Sequence, residues 1–457
     1  MKILLIQPAK APLTIGGDDV YLYEPLALEY IASGVVDNHD VKIHDIRLEK
    51  NIKKVFDEFK PDVVGITAYT VNVNIVKALF KEIKAWNPEV FTVIGGHHAT
   101  VAPDDFLDSS IDLSIMGEGV FAFQELMRRL EKKEKFDGMK GIVYKEEDNI
   151  IKIPHEPVVD LDALPLPKRD LTKQYRSSYA SEWMKPLASM RTSKGCAFRC
   201  NFCALWKLTG GRYLTRKPEN IVKELLTIKE EFIFFADDES LIDAKRMTEL
   251  ARLIKEAGIK KRYFLYGRSD TVSKHPELIE AWKEVGLERV FVGLEFFSDE
   301  DLKYIKKGST IKHNREAVTI LQSLGIEIYA SFIVRPDFTK EDFRNFIDYC
   351  RSMKLNFATF AVLTPLPGTD LYQEVKEIMI THNYDYFDFL HTLLPTKLSL
   401  KEFYEELYNL YKKSVPFSNW ISFMRKFPLR DIPAVIRLSN KIFSQIRNAY
   451  KDYEGRL

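Results

Sequence analysis

Three cysteines lie close together near the middle of the chain, in the stretch SKGCAFRCNFCALW. They are Cys196, Cys200 and Cys203, whereas the remaining cysteine, Cys350, is distant in sequence. Four cysteines in 457 residues do not make a disulfide framework, so the clustered thiols indicate a metal or redox site in a reducing cytosol. A structural zinc usually takes four ligands in two close pairs, whereas three thiolates on a 4Fe–4S cluster leave one iron open for a small molecule.

The elements that must position these thiols extend over residues 186–375, where apolar runs alternate with amphipathic, helix-length segments. Six of these runs are candidate strands: PLASMRT, EFIFFAD, RYFLYGR, RVFVGLE, IYASFIV and FATFAVL. Six strand–helix units predict an incomplete parallel barrel, because full closure takes eight. The cysteines follow the first strand, at the end of a parallel barrel where active sites lie.

The C-x3-C-x2-C spacing, with the aromatic Phe202 before the last cysteine, resembles the motif of the radical S-adenosylmethionine (AdoMet) enzymes. The resemblance implies that the cysteines hold a 4Fe–4S cluster whose open iron binds AdoMet. It also implies that an electron from the cluster splits AdoMet into methionine and a 5′-deoxyadenosyl radical. Zinc binding and a chance spacing are the alternatives.

Further AdoMet contacts are implied at the ends of the later strands, in FFADDES, YGRSD, VGLEFFS and LTPLPGTDLY. The candidates are Phe202, Asp237, Asp238, Arg268, Glu295 and Pro365. Arg268 suits the carboxylate of AdoMet, because a guanidinium matches carboxylate geometry. FFADDES departs from the family's common Gly-Gly-Glu, so its aspartates could instead cap a helix. Arg268 and Glu295 could form ordinary salt bridges, and the prolines a rigid turn.

The first 135 residues contain five apolar runs, at 2–8, 39–46, 62–68, 91–96 and 112–119, with helix-length segments between them. This alternation predicts a doubly wound, Rossmann-like parallel sheet, in which ligands bind outside the carboxyl ends of the strands. The fold class predicted for the chain is α/β. Its predicted parts are this domain at 1–135, a linker at 136–185, the partial barrel at 186–375 and a helical region at 376–457.

The stretches EPLALEYIAS, DVVGITA, VIGGHHAT and IMGEGVFAFQEL resemble the cobalamin-binding domain of B12-dependent radical AdoMet enzymes. With the barrel, the resemblance covers nearly all of residues 1–375. Glycines in these loops permit close backbone approach to a large flat ligand. The candidate cobalamin-binding residues are Gln7, Pro8, Thr67, Thr70, Gly95, Gly96, His98, Gly117, Glu118 and Gly119.

One feature of many cobalamin domains is missing from the sequence. They carry an Asp-x-His-x-x-Gly loop after the first strand, whose histidine ligates cobalt, but here QPAKAPLTIGG contains no histidine. A weaker lower axial ligand suits a cobalamin that passes a methyl group to a radical. His97 and His98 are the nearest candidates for a corrin contact, and the alternative is that they only form hydrogen bonds within their loop.

The predicted helical region at 376–457 indicates what kind of substrate the protein uses. FDFLHTLLPTKLSLKEFYEELYNLYKK resembles the region after the barrel in hopanoid C-3 methylase and related lipid-modifying members. The following segment mixes aromatic and basic side chains, which suits a helix at a membrane surface, and a helical cap covering the barrel mouth is the alternative. These side chains are Trp420, Phe423, Phe427, Arg425, Lys426, Arg430 and Arg437.

The bulk properties exclude several classes of protein. The formal net charge is +1, which does not favour nucleic acid as the main partner. The sequence contains no run of 18 apolar residues, and MKILLIQPAK is not a signal peptide, so we expect a cytoplasmic protein that is at most membrane-associated.

The resemblance implies a methyltransferase that uses the cluster, methylcobalamin and two AdoMet per turnover to methylate an unactivated carbon of a hydrophobic, isoprenoid or lipid substrate. The expected partners are that substrate, an electron donor of flavodoxin or ferredoxin type and a membrane surface at the C-terminal helices. A cobalamin radical enzyme that forms rings or couples carbons is an alternative. A non-catalytic B12 sensor is a remote one, because it would not need the cysteines. A methylthiotransferase is nearly excluded, because the first domain lacks the three further cysteines of that class.

Overall fold

A computed structural model describes residues 1–157 and 160–454 of the chain. Within these residues the strands are, in chain order, β1 (Lys2–Gln7), β2 (Tyr21–Leu22), β3 (Asp40–Asp45), β4 (Val63–Thr67), β5 (Phe91–Gly95), β6 (Leu113–Ile115), β7 (Ile142–Glu146), β8 (Asn149–Ile153), β9 (Ala180–Ser181), β10 (Leu187–Met190), β11 (Ser193–Lys194), β12 (Leu214–Thr215), β13 (Phe232–Phe235), β14 (Arg262–Arg268), β15 (Leu287–Glu295), β16 (Glu327–Val334) and β17 (Ala358–Val362).

The α-helices of the described residues are α1 (Leu26–Ser33), α2 (Ile52–Phe59), α3 (Val73–Trp86), α4 (His97–Val101), α5 (Gly119–Lys132), α6 (Leu205–Leu208), α7 (Pro218–Leu225), α8 (Ala244–Glu256), α9 (Ser269–Lys274), α10 (Pro276–Glu284), α11 (Asp299–Tyr304), α12 (Ile311–Ser323), α13 (Lys340–Ser352), α14 (Asp370–Val375), α15 (Leu400–Lys413), α16 (Phe417–Met424) and α17 (Ile432–Asn448). None of them is long and apolar enough to cross a bilayer.

The first sheet has the strand order β3-β1-β4-β5-β6-β7-β8. Its first five strands are parallel and carry an apolar layer on each face, which confirms the doubly wound domain predicted from the sequence. The antiparallel hairpin β7–β8 differs from the prediction, because it lies within the predicted linker. Its strands, IVYKE and NIIKI, have five residues each, and the residues near the turn between them are exposed. Their sequences therefore contain too few consecutive apolar residues to indicate buried strands.

The second sheet is the predicted partial barrel, with the order β10-β13-β14-β15-β16-β17 and parallel pairing throughout. Side chains from other parts of the chain form hydrogen bonds to backbone groups on its two free edges, which would otherwise be unpaired. On β17, the Tyr411 hydroxyl of α15 accepts from the Phe360 N–H and donates to the Phe360 carbonyl. On β10, the Ser189 N–H donates to the carboxylate of Glu24.

The lower end of the barrel, opposite the cysteines, is closed by α16. Phe423 and Phe427 pack edge-to-face on Trp183, with ring centroids 5.4 and 5.9 Å apart. Above Trp183, the fully buried guanidinium of Arg289 pairs with Glu182, with Nη1 2.5 Å from Oε2. Phe423 and Phe427 were predicted to be part of a membrane-facing surface, and they are instead buried because they fill the barrel end.

The later part of the predicted linker, residues 160–185, lies between the two sheets and is held by buried charges. Arg176 and Arg169 pair with Glu24 of the first domain, and Arg169 also pairs with Glu224 on α7. The Thr172 hydroxyl donates to Glu29 on α1 over 2.5 Å. These contacts fix the first domain over the barrel.

The C-terminal end of the chain is attached through His391, whose ring is fully buried. Its Nδ1 lies 3.0 Å from an oxygen of Asp388 and its Nε2 lies 3.1 Å from an oxygen of Asp452. Burial opposes the charged imidazole, but the two carboxylates outweigh it and raise the pKa of His391 to about 9.

We expect this contact to make stability depend on pH. The folded-state pKa of His391 lies above its usual value of 6.5, so the stabilisation is complete below pH 6.5 and is lost as the pH rises through about 9. Replacing His391 with Gln should lower the free energy of unfolding by up to roughly 3 kcal/mol near pH 6 and by much less near pH 10. Denaturant titration measures both, and His275→Gln, at an exposed histidine beside Glu277, is the control. If His391→Gln lowered the free energy of unfolding equally at both pH values, the raised pKa of His391 would be contradicted.

Candidate active site

The three cysteines lie on the loop that follows β10 and the short strand β11. The loop begins with Gly195 at φ +85°, where an added Cβ would come within 2.2 Å of the Arg212 carbonyl, so only glycine fits. Cys200 is buried and the other two thiols are half-buried. The three thiols are near enough to one another to influence each other's ionisation, although burial is the main cause of the raised pKa of Cys203.

This thiol group suits a cluster better than a single ion. Within residues 1–157 and 160–454, no three His, Cys, Asp or Glu side chains lie close enough to share one metal ion. A 4Fe–4S cluster does not require that, because each of its thiolate ligands binds a different iron. Cys350 is fully buried within α13, as a small apolar side chain would be, and takes no part.

Asp237 and Asp238 hold the start of this loop. Asp237 accepts hydrogen bonds from the N–H groups of Thr192 and Ser193 at 2.6 and 2.8 Å, and Asp238 accepts one from the Gly195 N–H at 2.6 Å. Neither caps a helix, because the N-cap of α8 is Asp243. The two carboxylates were predicted to contact AdoMet, and the structure makes Asp237 a positioning residue for the cysteine loop.

Glu239, the next residue, was missed by the sequence analysis. Its carboxylate accepts from the N–H groups of Leu241, Ile242 and Arg268, and burial raises its pKa to about 7. No spacing rule marks it, since it is simply the third acid of FFADDES. It joins the end of β13 to the end of β14.

Arg268 reaches the cysteine loop from the end of β14. Its guanidinium lies 3.4 Å from the ring centroid of Phe198, pairs with Asp270 at 2.9 Å and donates to the Lys307 carbonyl. Glu295 ends β15 and pairs with Lys307, a second residue that the sequence analysis missed. Both residues therefore form salt bridges, as the sequence analysis allowed, at positions that face the thiols.

Glu295 has a left-handed backbone, with φ +63°, at an irregularity of the β15–β16 register. Such a conformation costs a non-glycine residue on the order of 1–3 kcal/mol and is concentrated at functional sites. The strain turns the carboxylate of Glu295 toward Lys307 inside the barrel. This is the strongest local indication that Glu295 has a functional role.

Phe202 and Pro365 lie on two loops that meet at the barrel mouth, where the Leu371 N–H donates to the Asn201 carbonyl. Phe202 is half-buried against the barrel core, and Pro365 is buried in the loop that follows β17. In that loop Gly368 has φ +85°, and an added Cβ would lie 2.9 Å from the Cβ of Val101 on α4. The loop after the last barrel strand therefore touches the first domain directly.

The candidate cobalamin edge is formed by the carboxyl ends of β1, β4, β5 and β6. Gln7 is half-buried and Pro8 is buried at the end of β1, and Thr67 ends β4. An added Cβ at Gly95 would meet no atom nearer than 4.0 Å, so this backbone faces open space and fits a large planar ligand. At Gly96, which has φ +101°, the Cβ would lie 2.6 Å from the Thr67 hydroxyl.

The other two candidate glycines, Gly117 and Gly119, allow neighbouring side chains to pack closely. Gly117 has φ +78°, and an added Cβ would lie 2.7 Å from the ring of His155. Gly119 begins α5 as the sequence predicts, but its missing side chain makes room for Ile31 of α1, 2.8 Å from an added Cβ. Close packing between α5 and α1 therefore accounts for Gly119 without a ligand.

Thr70 and His98 are hydrogen-bonded to each other inside the first domain, rather than displayed at its edge. His98 is fully buried, with Nδ1 3.1 Å from the Thr70 hydroxyl and Nε2 2.9 Å from Asp105. The Tyr384 hydroxyl also donates to Asp105, at 2.5 Å. His98 was predicted to contact cobalamin, and the structure instead commits both of its ring nitrogens to holding the domain and the tail together.

His97 faces a different environment from its neighbour. Burial lowers its pKa to about 4, so its imidazole is neutral at pH 7, and its ring centroid lies 6.1 Å from that of Tyr69. Tyr69 has 64% of its surface accessible, yet burial raises its pKa. The charges of Asp238 and Arg191, on the barrel side, also act on the Tyr69 hydroxyl, so Tyr69 and its neighbour His97 border the space between the domains.

Glu118 connects the two domains at this crevice. It was predicted to bind cobalamin, but its carboxylate pairs with Arg191 at 3.0 Å and with Lys194 at 2.8 Å, just before Cys196. Although burial alone would raise it, these two cations lower the pKa of Glu118 to about 2. The loop of the first domain is thus attached to the cysteine loop by a buried, charged contact, which we call the Glu118 clamp.

The chain therefore has a thiol loop for an iron–sulfur cluster at the mouth of a partial parallel barrel, and a Rossmann-like domain with an open glycine edge beside it. This combination defines the radical AdoMet enzymes that also bind cobalamin. Residues 190–350 match the Radical SAM superfamily, and residues 13–127 match the B12 binding domain.

Two relatives cover most of the chain. The hopanoid C-3 methylase of Methylococcus capsulatus is 33% identical over 90% of this chain and 81% of its own. An uncharacterized methyltransferase of Pyrococcus horikoshii is 31% identical over 89% of each chain. A solved structure of the cobalamin-dependent AdoMet radical enzyme OxsB, with aqua-cobalamin and AdoMet bound, shares the fold at a TM-score of 0.74, with 17% identity over 98% of this chain and 71% of that one.

The protein belongs to the cobalamin-dependent radical AdoMet methyltransferase family. Its cofactors are a 4Fe–4S cluster, AdoMet and cobalamin.

We expect the Glu118 clamp to be required for cluster assembly. Glu118→Gln leaves two half-buried cations without their counter-charge, so it should cost roughly 1–3 kcal/mol of stability and lower the iron content after anaerobic reconstitution. Thermal unfolding and iron analysis measure both effects. Glu125→Gln, which breaks exposed pairs with Arg128 and Arg129 on the same helix, is the control and should change neither. Full iron loading of Glu118→Gln would contradict this role.

Proposed function

We propose that this enzyme methylates an unactivated carbon of a hydrophobic substrate, with two AdoMet consumed per product. The observation that carries the proposal is the Glu118 clamp, because it holds the thiol loop against the edge of the domain that matches the B12 binding domain. A radical formed at the barrel mouth and a methyl group carried by that domain would then face the same crevice. The relation to hopanoid C-3 methylase, at 33% identity, supports methyl transfer as the outcome.

When bound, the cluster and AdoMet supply a 5′-deoxyadenosyl radical, and methylcobalamin supplies the methyl group. The chain's own residues orient these groups and exclude water. Asp237 and Asp238 fix the loop that carries the cysteines, and Arg268 fixes Phe198 beside them. Glu295 and Lys307 place a paired carboxylate at the end of β15, which suits hydrogen bonding to a ribose. An electron donor of flavodoxin or ferredoxin type would complete the system.

A cobalamin radical enzyme that closes rings or couples carbons is the second candidate. The same residues would serve it, and it differs only in not consuming a second AdoMet as methyl donor. Measuring both AdoMet products therefore separates the two candidates.

Anaerobic turnover with methyl-deuterated AdoMet and a bacterial hopanoid as the test acceptor should yield S-adenosylhomocysteine and 5′-deoxyadenosine in about equal amounts. The acceptor should gain a deuterated methyl group, which mass spectrometry detects. Cys203→Ala should abolish 5′-deoxyadenosine because the cluster loses a ligand, whereas Cys350→Ala should retain it. The formation of 5′-deoxyadenosine without any S-adenosylhomocysteine would refute methyl transfer.

We also propose that this enzyme works in the reducing cytosol and touches a membrane surface through the corner between α16 and α17. Leu429 lies in the turn between these helices and is 86% exposed, Ile436 on the first turns of α17 is 38% exposed, and Phe417, which begins α16, is 74% exposed. Exposed apolar side chains among cations suit an anionic lipid surface. The exposed cations around them are Arg425, Arg430 and Arg437.

Flotation with vesicles tests this surface. The enzyme should float with vesicles that contain phosphatidylglycerol and much less with pure phosphatidylcholine, because the cations contribute attraction to anionic lipid. The variants Leu429→Glu and Phe417→Glu should each reduce flotation several-fold. Leu226→Glu, at another exposed leucine on the outside of the barrel, should float like the wild type. Equal flotation of all four proteins would refute the membrane contact.

A further inference from the structure

The inside of the barrel has a middle layer of aromatic rings that the proposed chemistry does not use. Phe234, Tyr266 and Phe291 face inward from β13, β14 and β15, and their rings follow one another with centroids 5.2 and 4.8 Å apart. Tyr266 and Phe291 keep part of their surface accessible, whereas Phe264 and Tyr329 below them are buried. The accessible surface of this layer therefore borders a space within the barrel, above its closed lower end.

Two further tyrosines enter this space from the first domain. Tyr21 and Tyr23 lie at β2, on the segment between β1 and α1. The Tyr23 ring stacks on Phe234 with centroids 4.6 Å apart, and the Tyr329 hydroxyl donates to the Tyr21 hydroxyl at 2.9 Å. We call Tyr21, Tyr23, Phe234, Tyr266 and Phe291 the lumen wall.

The lumen wall carries no charge at neutral pH. Burial raises the pKa of Tyr21 to about 12, and it also raises the pKa values of Tyr23 and Tyr266. The cations nearest this layer are already paired, since Arg289 below it pairs with Glu182 and Lys307 above it pairs with Glu295. Within the described part of the chain the Tyr266 hydroxyl has no hydrogen-bond partner, so it can bind one isolated polar group of a ligand.

Building on the proposed function, we propose that the lumen wall binds the substrate and selects a neutral, rigid, largely apolar molecule over an anionic one of the same shape. Flat rings offer such a molecule extensive contact, and the tyrosine hydroxyls can pair with a lone hydroxyl or ether oxygen. A carboxylate in the same place would lose its hydration without gaining a counter-charge. The wall thus sets the specificity of the site, while the thiol loop and the cobalamin edge supply its chemistry.

A matched pair of probes tests this selection. Pyrene and 1-pyrenecarboxylate share one ring system and differ in charge, and equilibrium dialysis against the reconstituted enzyme measures their dissociation constants. Pyrene should bind at least about tenfold more tightly. Phe291→Lys places a cation on the wall and should shift the ratio by at least about tenfold toward the carboxylate. Leu226→Lys places the same cation outside the barrel and should leave the ratio unchanged.

Phe291→Ala removes a ring without adding charge and should weaken pyrene binding, which keeps the proposal testable if Phe291→Lys does not fold. Equal affinities for the two probes in the wild type, or an unchanged pyrene affinity in Phe291→Ala, would overturn the proposal. S-adenosylhomocysteine is measured on the same preparations. If the enzyme discriminates between the probes but forms no S-adenosylhomocysteine, methyl transfer is refuted and the lumen wall is still supported. If it forms S-adenosylhomocysteine but does not discriminate between the probes, only the lumen wall is refuted.

Discussion

A buried negative charge between two positive ones is the interaction on which the rest of the site depends. Glu118 lies on the first domain, and Arg191 and Lys194 lie immediately before the thiol loop. Burying any one of these charges alone would be costly, so each stabilises the position of the others. The first domain is therefore attached to the barrel beside the thiol loop, and the contacts of Glu24 with Arg169 and Arg176 form a second, equally buried attachment.

The barrel interior is layered by polarity, and the layers follow from strand geometry. Alternate residues of a strand point inward, and the inward side chains of the strands stack in layers across the barrel. On β15 these are Arg289, Phe291 and Glu295, with the last displaced by the irregular register. The lowest layer is sealed and aromatic, the middle layer is aromatic with accessible surface, and the upper layer is charged. If the substrate is apolar, as proposed, it and the polar cofactors would contact different layers of one barrel.

The sequence predicts the elements well because their signal is local. Apolar runs of strand length, separated by amphipathic helices, indicate both sheets, and the cysteine spacing is a property of one short loop. The roles of single residues depend on partners far away in the chain. His97 and His98 are adjacent and chemically identical, and only the turn of α4 decides that His98 points into the domain and His97 toward the crevice. Likewise, Glu118 was predicted to bind cobalamin because its true partners, more than 70 residues downstream, cannot be recognised from the sequence. Lys307 was missed because it belongs to no recognisable motif.

The closed lower end of the barrel has a kinetic consequence. With α16 filling that end and Tyr411 covering the free edge of β17, traffic through the barrel is confined to the mouth beneath the cobalamin domain. A substrate bound at the lumen wall, as proposed above, would lie deeper in the barrel than the thiol loop. It would then enter before AdoMet binds at that loop, and the product would leave after the fragments of AdoMet, which is an ordered mechanism.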